Sequence, residues 1–308
     1  MPAMPNPESV SDPVIDAATM TGADWVAARQ AVVEQFGPWT NHNLRLPDGS
    51  YTLAAQATPC EPKLRRMTQI VCDWLRRDRL DGVRVLDLAC LEGLYGLELA
   101  LHGADAVGIE GREMNRAKAE VARQALGVEN IRFVLDDVRN LSPQTYGTFD
   151  VVLCLGILYH LDAPDVFRFV EQVAEVCTGL AIIDTHVSQT AEQCHPYRTV
   201  AGTEVPLWGR SYREHDPDSP SEARLQVPES SLDNPESFWL TRASLLNLMA
   251  AAGFTSVYEC HQPLVQKYED LRAAGLRDRA TFVAIKGQPV TLRASDLSNG
   301  QPPLQWRD

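Results

Sequence analysis

Several short apolar runs in this chain end on side chains able to grip a nucleoside. Val83–Leu88 leads into Asp87-Leu-Ala89-Cys90-Leu-Glu-Gly93, a turn made mostly of small residues, and such a turn lets backbone approach a ligand closely. Ala106–Glu110 ends on a carboxylate followed by Gly111. A carboxylate there can accept hydrogen bonds from both hydroxyls of a ribose, although a surface acid closing a strand is the competing reading. Ile131–Leu135 ends on the acid pair Asp136-Asp137, with Val138 next.

A second set of residues suits the handling of a substrate. Phe149–Leu155 runs into Gly156-Ile-Leu-Tyr159-His160-Leu161, and Ile182–Asp184 into Thr185-His186. His160 and His186 are candidate general bases if the nucleophile must lose a proton, and Tyr159 a candidate for orienting the substrate; each also has an ordinary structural reading. Further on stand two clusters, Trp208-Gly-Arg210-Ser-Tyr212-Arg213-Glu-His215 and Leu232-Asp-Asn234-Pro-Glu-Ser-Phe-Trp239-Leu-Thr241. Aromatics interleaved with Arg and Asn suit a small polar ligand that needs stacking and a carboxylate clamp. Arg210 and Arg213 are expected either to fork onto that carboxylate or to pair with Glu204, Glu214 or Asp216. The adjacent pairs Cys194-His195 and Cys260-His261 match no standard zinc spacing, so no metal is expected.

The elements that must hold these residues alternate regularly. Strands are expected at 83–88, 105–109, 131–135, 149–155, 180–184, 255–259 and 280–286, and helices at 93–102, 112–126, 163–177 and 241–253. This is an α/β pattern, a Rossmann-like, doubly wound sheet of seven strands with right-handed crossovers. Ahead of it, helical spacing at 23–36 and 61–78 flanks a Leu46-Pro-Asp-Gly49 turn, giving an N-terminal extension over 21–80. Residues 1–20 read as disordered and 288–308 as a loose polar tail. Within the main domain, 81–287, more than fifty residues without strong periodicity follow the fifth strand. This stretch, about 187–240, reads as an irregular inserted substrate cap at the ligand-binding end of the sheet.

Composition narrows the partners. The chain has 308 residues, with 28 Lys+Arg against 41 Asp+Glu and a net charge of −13. That opposes a broad phosphate-binding surface. The basic side chains along 61–79 (Lys63, Arg65, Arg66, Arg76, Arg77 and Arg79) are read as a solvated helix face before an RNA patch. Seven irregularly spaced cysteines, no apolar run of membrane length and no signal-like N-terminus fit a cytoplasmic protein.

In combination, the turn at 87–93, Glu110, Asp137-Val138 and Gly156-Ile-Leu-Tyr-His160-Leu resemble the motifs of class I S-adenosylmethionine-dependent methyltransferases. Two glycines of the usual first motif are replaced, by Ala89 and Leu91. The resemblance is strong over 83–190 and implies that Asp87, Ala89, Cys90, Gly93, Glu110, Gly111, Leu155 and Gly156 line a site for S-adenosylmethionine and its product S-adenosylhomocysteine. It also implies that Asp137 faces the adenine amino group and Val138 the ring. Pro38-Trp39-Thr-Asn-His42-Asn43 and Leu46-Pro-Asp-Gly49 further resemble a subgroup near the wobble-uridine carboxymethylating tRNA enzymes, which implies that Trp39, His42 and Tyr51 close over the cofactor. A core position for Trp39 and a capping role for His42 are the alternative. The expected function is methyl transfer to oxygen, nitrogen or thioether sulfur of a small polar metabolite, an amino-acid-like one included, or of a natural product. An RNA-modifying enzyme stands second and a non-catalytic cofactor-binding module third, and homodimerisation is left open.

Overall fold

A computed structural model of the protein describes residues 22–53, 60–260, 273–274, 278–291 and 293. The expected N-terminal disorder over 1–20, most of the 288–308 tail, and His261 lie outside the described residues. Helix α1 (Gly22–Phe36) and helix α2 (Cys60–Leu75) precede the sheet. The alternating units then follow as β1 (Arg84–Leu88), α3 (Leu94–Leu101), β2 (Asp105–Glu110), α4 (Glu113–Ala125), β3 (Ile131–Leu135), α5 (Pro143–Tyr146), β4 (Phe149–Leu155), α6 (Asp165–Val176) and β5 (Cys177–Val187). After them come β6 (Gln193–Arg198), β7 (Glu204–Arg213), α7 (Ser221–Leu225), β8 (Glu236–Leu240), α8 (Arg242–Ala251), β9 (Ser256–Glu259) and β10 (Asp278–Ile285).

The main sheet has seven strands in the order β3-β2-β1-β4-β5-β10-β9. The strands from β3 through β5 pair in parallel, and β10 runs antiparallel to both β5 and β9. The strand order reverses at β1, whose neighbours are β2 and β4. Open α/β sheets form their ligand crevice at the carboxyl ends of strands beside such a reversal.

Why β4 is apolar almost throughout is clear from its two faces. Val152 and Cys154 join a cluster with Val166, Phe169 and Val173 of α6 and Leu245 and Leu248 of α8. Val151 and Leu153 face the other way, onto Met67 and Val71 of α2 and Leu97 of α3. A strand covered on both sides cannot show polar alternation.

The cap differs from the expected irregular loop. It contains a second, three-stranded antiparallel sheet in the order β6-β7-β8. β7 alternates as a half-covered strand should, with Val205, Leu207 and Gly209 buried between exposed Glu204, Pro206 and Trp208. The cap is joined to the main domain along β8, where Phe238 N donates to Leu161 O at 2.9 Å and where Thr241, just after the strand, pairs with Ser188. Thr241 then caps α8 through its side chain, which accepts from Ser244 N.

Candidate active site

At the carboxyl end of β1 the turn keeps the backbone shape that the missing glycines would supply. Ala89 and Leu91 have φ of 50° and 48°, and Gly93 has 85°. Side chains cost energy in this left-handed region, so its retention at two non-glycine positions marks a turn held by its surroundings. A Cβ on Gly93 would lie 2.8 Å from the Phe133 ring, so that position has no room for one. Leu91 N donates to Glu110 Oε2 at 2.9 Å and Cys90 N to Ile109 O at 3.0 Å, tying the turn to β2.

Three donors address the Glu110 carboxylate: Leu91 N, Arg112 N and the Asn115 amide. Three of about four acceptor positions are thus filled. Beside it, Asn115 Oδ1 is buried without a hydrogen-bond partner. Burial raises the Glu110 carboxyl above its ordinary range, against the pull of those donors. Asp87 is also buried and accepts from Gly96 N at 2.9 Å, fastening β1 to α3. Burial, with Glu110 nearby, pushes it up to about 7 despite that bond.

Beyond β3, Asp136 accepts from Tyr146 Oη, Asn140 and Asp137 N, so it is a bonded group and not merely a solvated one. Asp137 accepts from Arg139 N and from the Arg139 guanidinium, which also binds Asp233 of the cap at 2.8 Å. Val138 packs in the core beneath. Gly111 lies under the cap, since a Cβ there would sit 3.1 Å from Leu232.

The N-terminal segment docks on the same turn through a residue that sequence reasoning passed over. Glu92 is fully buried and accepts from Thr40 N, Asn41 N and His42 N at 2.7, 3.1 and 2.8 Å. Its charge faces Lys118 Nζ at 3.7 Å, and that ammonium donates to Pro38 O at 2.7 Å. Glu92 occupies the variable slot of the first motif, so its type alone carries no signal. His42 Nδ1 accepts from Leu94 N at 3.2 Å, capping the start of α3. Burial, helped by the charge on Lys63, holds His42 down to about 3. Trp39 lies in the core with Leu44, Met67 and Phe133, and Tyr51 pairs with Arg45 across the Pro-Asp-Gly turn.

Of the residues expected to handle a substrate, the structure gathers His186, Trp239, Tyr159 and Tyr212 into one aromatic wall. Trp239 lies near parallel to His186 and to Tyr212, with ring centroids 5.0 and 4.4 Å away, and its indole N–H donates to Tyr159 O at 2.9 Å. Arg210 places its guanidinium 5.2 Å from the Trp239 ring. The paired Arg fork is a correction: Arg210 and Arg213 stand three positions apart on β7 and so project to opposite faces. Asn234 is turned inward, its amide donating to His160 O and Glu236 O, while Trp208 is 43% exposed. Leu155 ends β4 and Gly156 follows it beside Tyr159, whose hydroxyl accepts from Arg279 at 3.4 Å. Arg279 and Lys63 both bind Asp184, which also accepts from Thr281 Oγ1. Burial alone would raise Asp184, but the two cations hold its carboxyl well below the usual range. This knot of β5, β10 and α2 was invisible in sequence because its members are far apart in the chain.

Comparison with known proteins agrees with this geometry. Residues 85–179 match the profile of a methyltransferase domain. Over 103 residues the chain is 30% identical to the ubiquinone biosynthesis O-methyltransferase of Acinetobacter baumannii (strain AYE), covering 33% of this chain and 44% of that protein. Over 114 residues it is 32% identical to the magnesium-protoporphyrin O-methyltransferase of Rhodobacter capsulatus, covering 37% of this chain and 49% of that one. The match thus spans under half the length of either relative. The crystal structure of the N-terminal domain of EvdMO1 with SAH and D-fucose superposes with a TM-score of 0.63 at 24% identity, over 86% of this chain and 97% of that one. The subgroup resemblance to wobble-uridine tRNA enzymes is not supported by these relatives. Residues 85–179 thus carry the profile of a methyltransferase domain, within a sheet whose order is that of a Rossmann-like fold.

Proposed function

We propose that this chain is a S-adenosylmethionine-dependent methyltransferase whose acceptor is a small polar molecule or natural product held beneath the cap. The observation that carries this reading is Glu110, a buried acid at the carboxyl end of β2, bonded to the left-handed turn that follows β1. Its remaining acceptor position and the partnerless Asn115 Oδ1 fit two ribose hydroxyls. In this reading Val138 and the Asp136-Asp137 pair flank and address the adenine, and the turn at 89–93 the sulfonium end. When bound, the cofactor supplies a methyl carbon open to in-line attack; the chain's task is to align donor and acceptor.

The aromatic wall of Tyr159, His186, Tyr212 and Trp239, with Arg210 above it, suits stacking against a small polar acceptor. The net charge of −13 speaks against an RNA substrate. In this reading 21–80 closes one side of the site, 81–287 is the catalytic domain, and 187–240 caps the acceptor. Among the described residues no helix is long and apolar enough to cross a membrane. The irregular spacing of the seven cysteines suits a reducing, cytoplasmic setting.

Titration calorimetry with S-adenosylmethionine and S-adenosylhomocysteine tests the cofactor, and transfer of labelled methyl to small-molecule extract or to tRNA tests the acceptor. Both cofactor forms should bind, and Glu110→Ala should weaken them roughly ten- to a hundredfold while the fold persists by circular dichroism. Absence of cofactor binding by the intact chain sinks the proposal; label appearing in tRNA alone sinks the small-molecule acceptor.

A further inference from the structure

His160 and Glu214 form a pair that spans the two parts of the molecule. His160 follows β4 of the main sheet, and Glu214 follows β7 of the cap. The His160 Nδ1 and Glu214 Oε2 atoms are 2.9 Å apart. The acid is itself fixed from two other sides, by Ser231 N at 3.0 Å and Ser237 Oγ at 2.7 Å. Its side chain is 3% exposed, whereas that of His160 keeps 15%. Burial works against the ionised acid, yet the bonds from His160, Ser237 and Ser231 hold Glu214 below its ordinary range. An ionised carboxylate only accepts, so the proton in this contact sits on Nδ1. A neutral imidazole with its proton on Nδ1 presents Nε2 as a bare acceptor. Nothing among the described residues bonds to Nε2, and the ring lies 4.2 Å from that of Tyr159, which lines the aromatic wall.

We infer that His160 is the general base of the methyl transfer, with Glu214 as the positioning residue that fixes its tautomer and steadies the imidazolium, and that the acceptor is therefore a hydroxyl. This inference rests on the cofactor reading above. The acceptor oxygen forms its bond to the methyl carbon as the carbon–sulfur bond breaks, the electron pair of that bond returning to sulfur. The hydroxyl proton passes to His160 Nε2, and the positive charge gained there faces Glu214. A thioether acceptor has no proton to lose and would leave such a pair without a task. Because the base comes from the main domain and its orienting acid from the cap, the pair is complete only with the cap in place. The ionisable groups around it are Tyr159 beside the ring, and Arg112 and His215 on the far side of Glu214 and Ser231.

The test is nitrogen NMR of histidine-labelled full-length protein, with His160→Asn used to assign the resonance. In the wild type, the neutral imidazole of His160 should carry its proton on Nδ1 and show Nε2 as an unprotonated nitrogen. Glu214→Gln should convert this to a mixture of tautomers. Sinefungin, a cofactor analogue with an amine where the methyl sulfonium would be, should shift the Nε2 resonance upfield by donating to it, whereas S-adenosylhomocysteine should not. A purely structural His160 would respond identically to the two ligands, and that result, or a proton found on Nε2, overturns the inference. The wild-type ligand comparison stands even if Glu214→Gln fails to fold. Calorimetry on the same samples separates the two readings: if neither ligand binds, the cofactor reading itself has failed and takes this one with it, whereas binding without a differential shift removes only the dyad.

Discussion

Ala89 and Leu91 show how a motif can lose its glycines and keep its shape. The left-handed backbone costs a non-glycine residue roughly 1–2 kcal/mol, and the turn meets that cost through Leu91 N on Glu110 and Cys90 N on Ile109 O. Ala89→Gly should therefore stabilise the chain by about 1 kcal/mol or less, the relief of strain being partly offset by the freer unfolded chain. Chemical denaturation of the two proteins measures this; a destabilised variant would show that the packing of the Ala89 methyl outweighs its backbone strain. At this scale the acids at the strand ends were legible, because strand ends and residue types are local properties. Their partners were not. Nothing near Asp137 in sequence announces that Arg139 will bridge it to Asp233 of the cap.

The elements before the sheet are anchored by charge as much as by apolar contact. Buried Glu92 answers the N–H groups of 40–42, and His42 in turn answers Leu94 N. Held at about 3 by burial, His42 stays neutral in the fold while its unfolded counterpart titrates near 6.5. The unfolded chain thus binds the extra proton, so this group's share of stability is present above pH 6.5 and is lost as the solution is acidified toward about 3. Each pH unit in that window costs about 1.4 kcal/mol. Unfolding at pH 6.5 and at about pH 5 should differ by about 2 kcal/mol more in the wild type than in His42→Gln, whose amide oxygen can still take the Leu94 N–H. Equal pH sensitivity in both proteins would mean that His42 is not the group responsible. Element positions in the main sheet were readable from periodicity, whereas the cap strands were missed. Only the first half of β7 shows an alternating buried face, and β6 is exposed along most of its length.

Across the whole molecule, the cap is fastened to the carboxyl end of β2 by one side chain above others. Arg112 follows β2 and donates to Leu225 O, Ser230 O and Ser231 O at 3.0, 3.0 and 2.9 Å. Arg112→Ala should speed amide exchange over 225–233 by at least about tenfold, the loss of one charge-assisted bond, and leave β1 and β4 protected. Unchanged exchange in the cap would show that Arg139–Asp233 and the Ser188–Thr241 pairing suffice to hold it. The same linkage joins the two ends of the site, because Leu232 over Gly111 and Glu214 on His160 belong to one insertion.

The amino-acid order by itself determined the α/β alternation, the seven strands and the acids that close three of them, since hydrophobic period and strand-end chemistry act over a few residues. Tertiary structure alone decided that Arg210 and Arg213 diverge, that Glu92 and Asp184 become buried anchors, and that Glu214 meets His160 across 54 positions. Those outcomes depend on which faces of distant segments are pressed together, and a buried charge reveals its partner only once the packing that excludes water has formed.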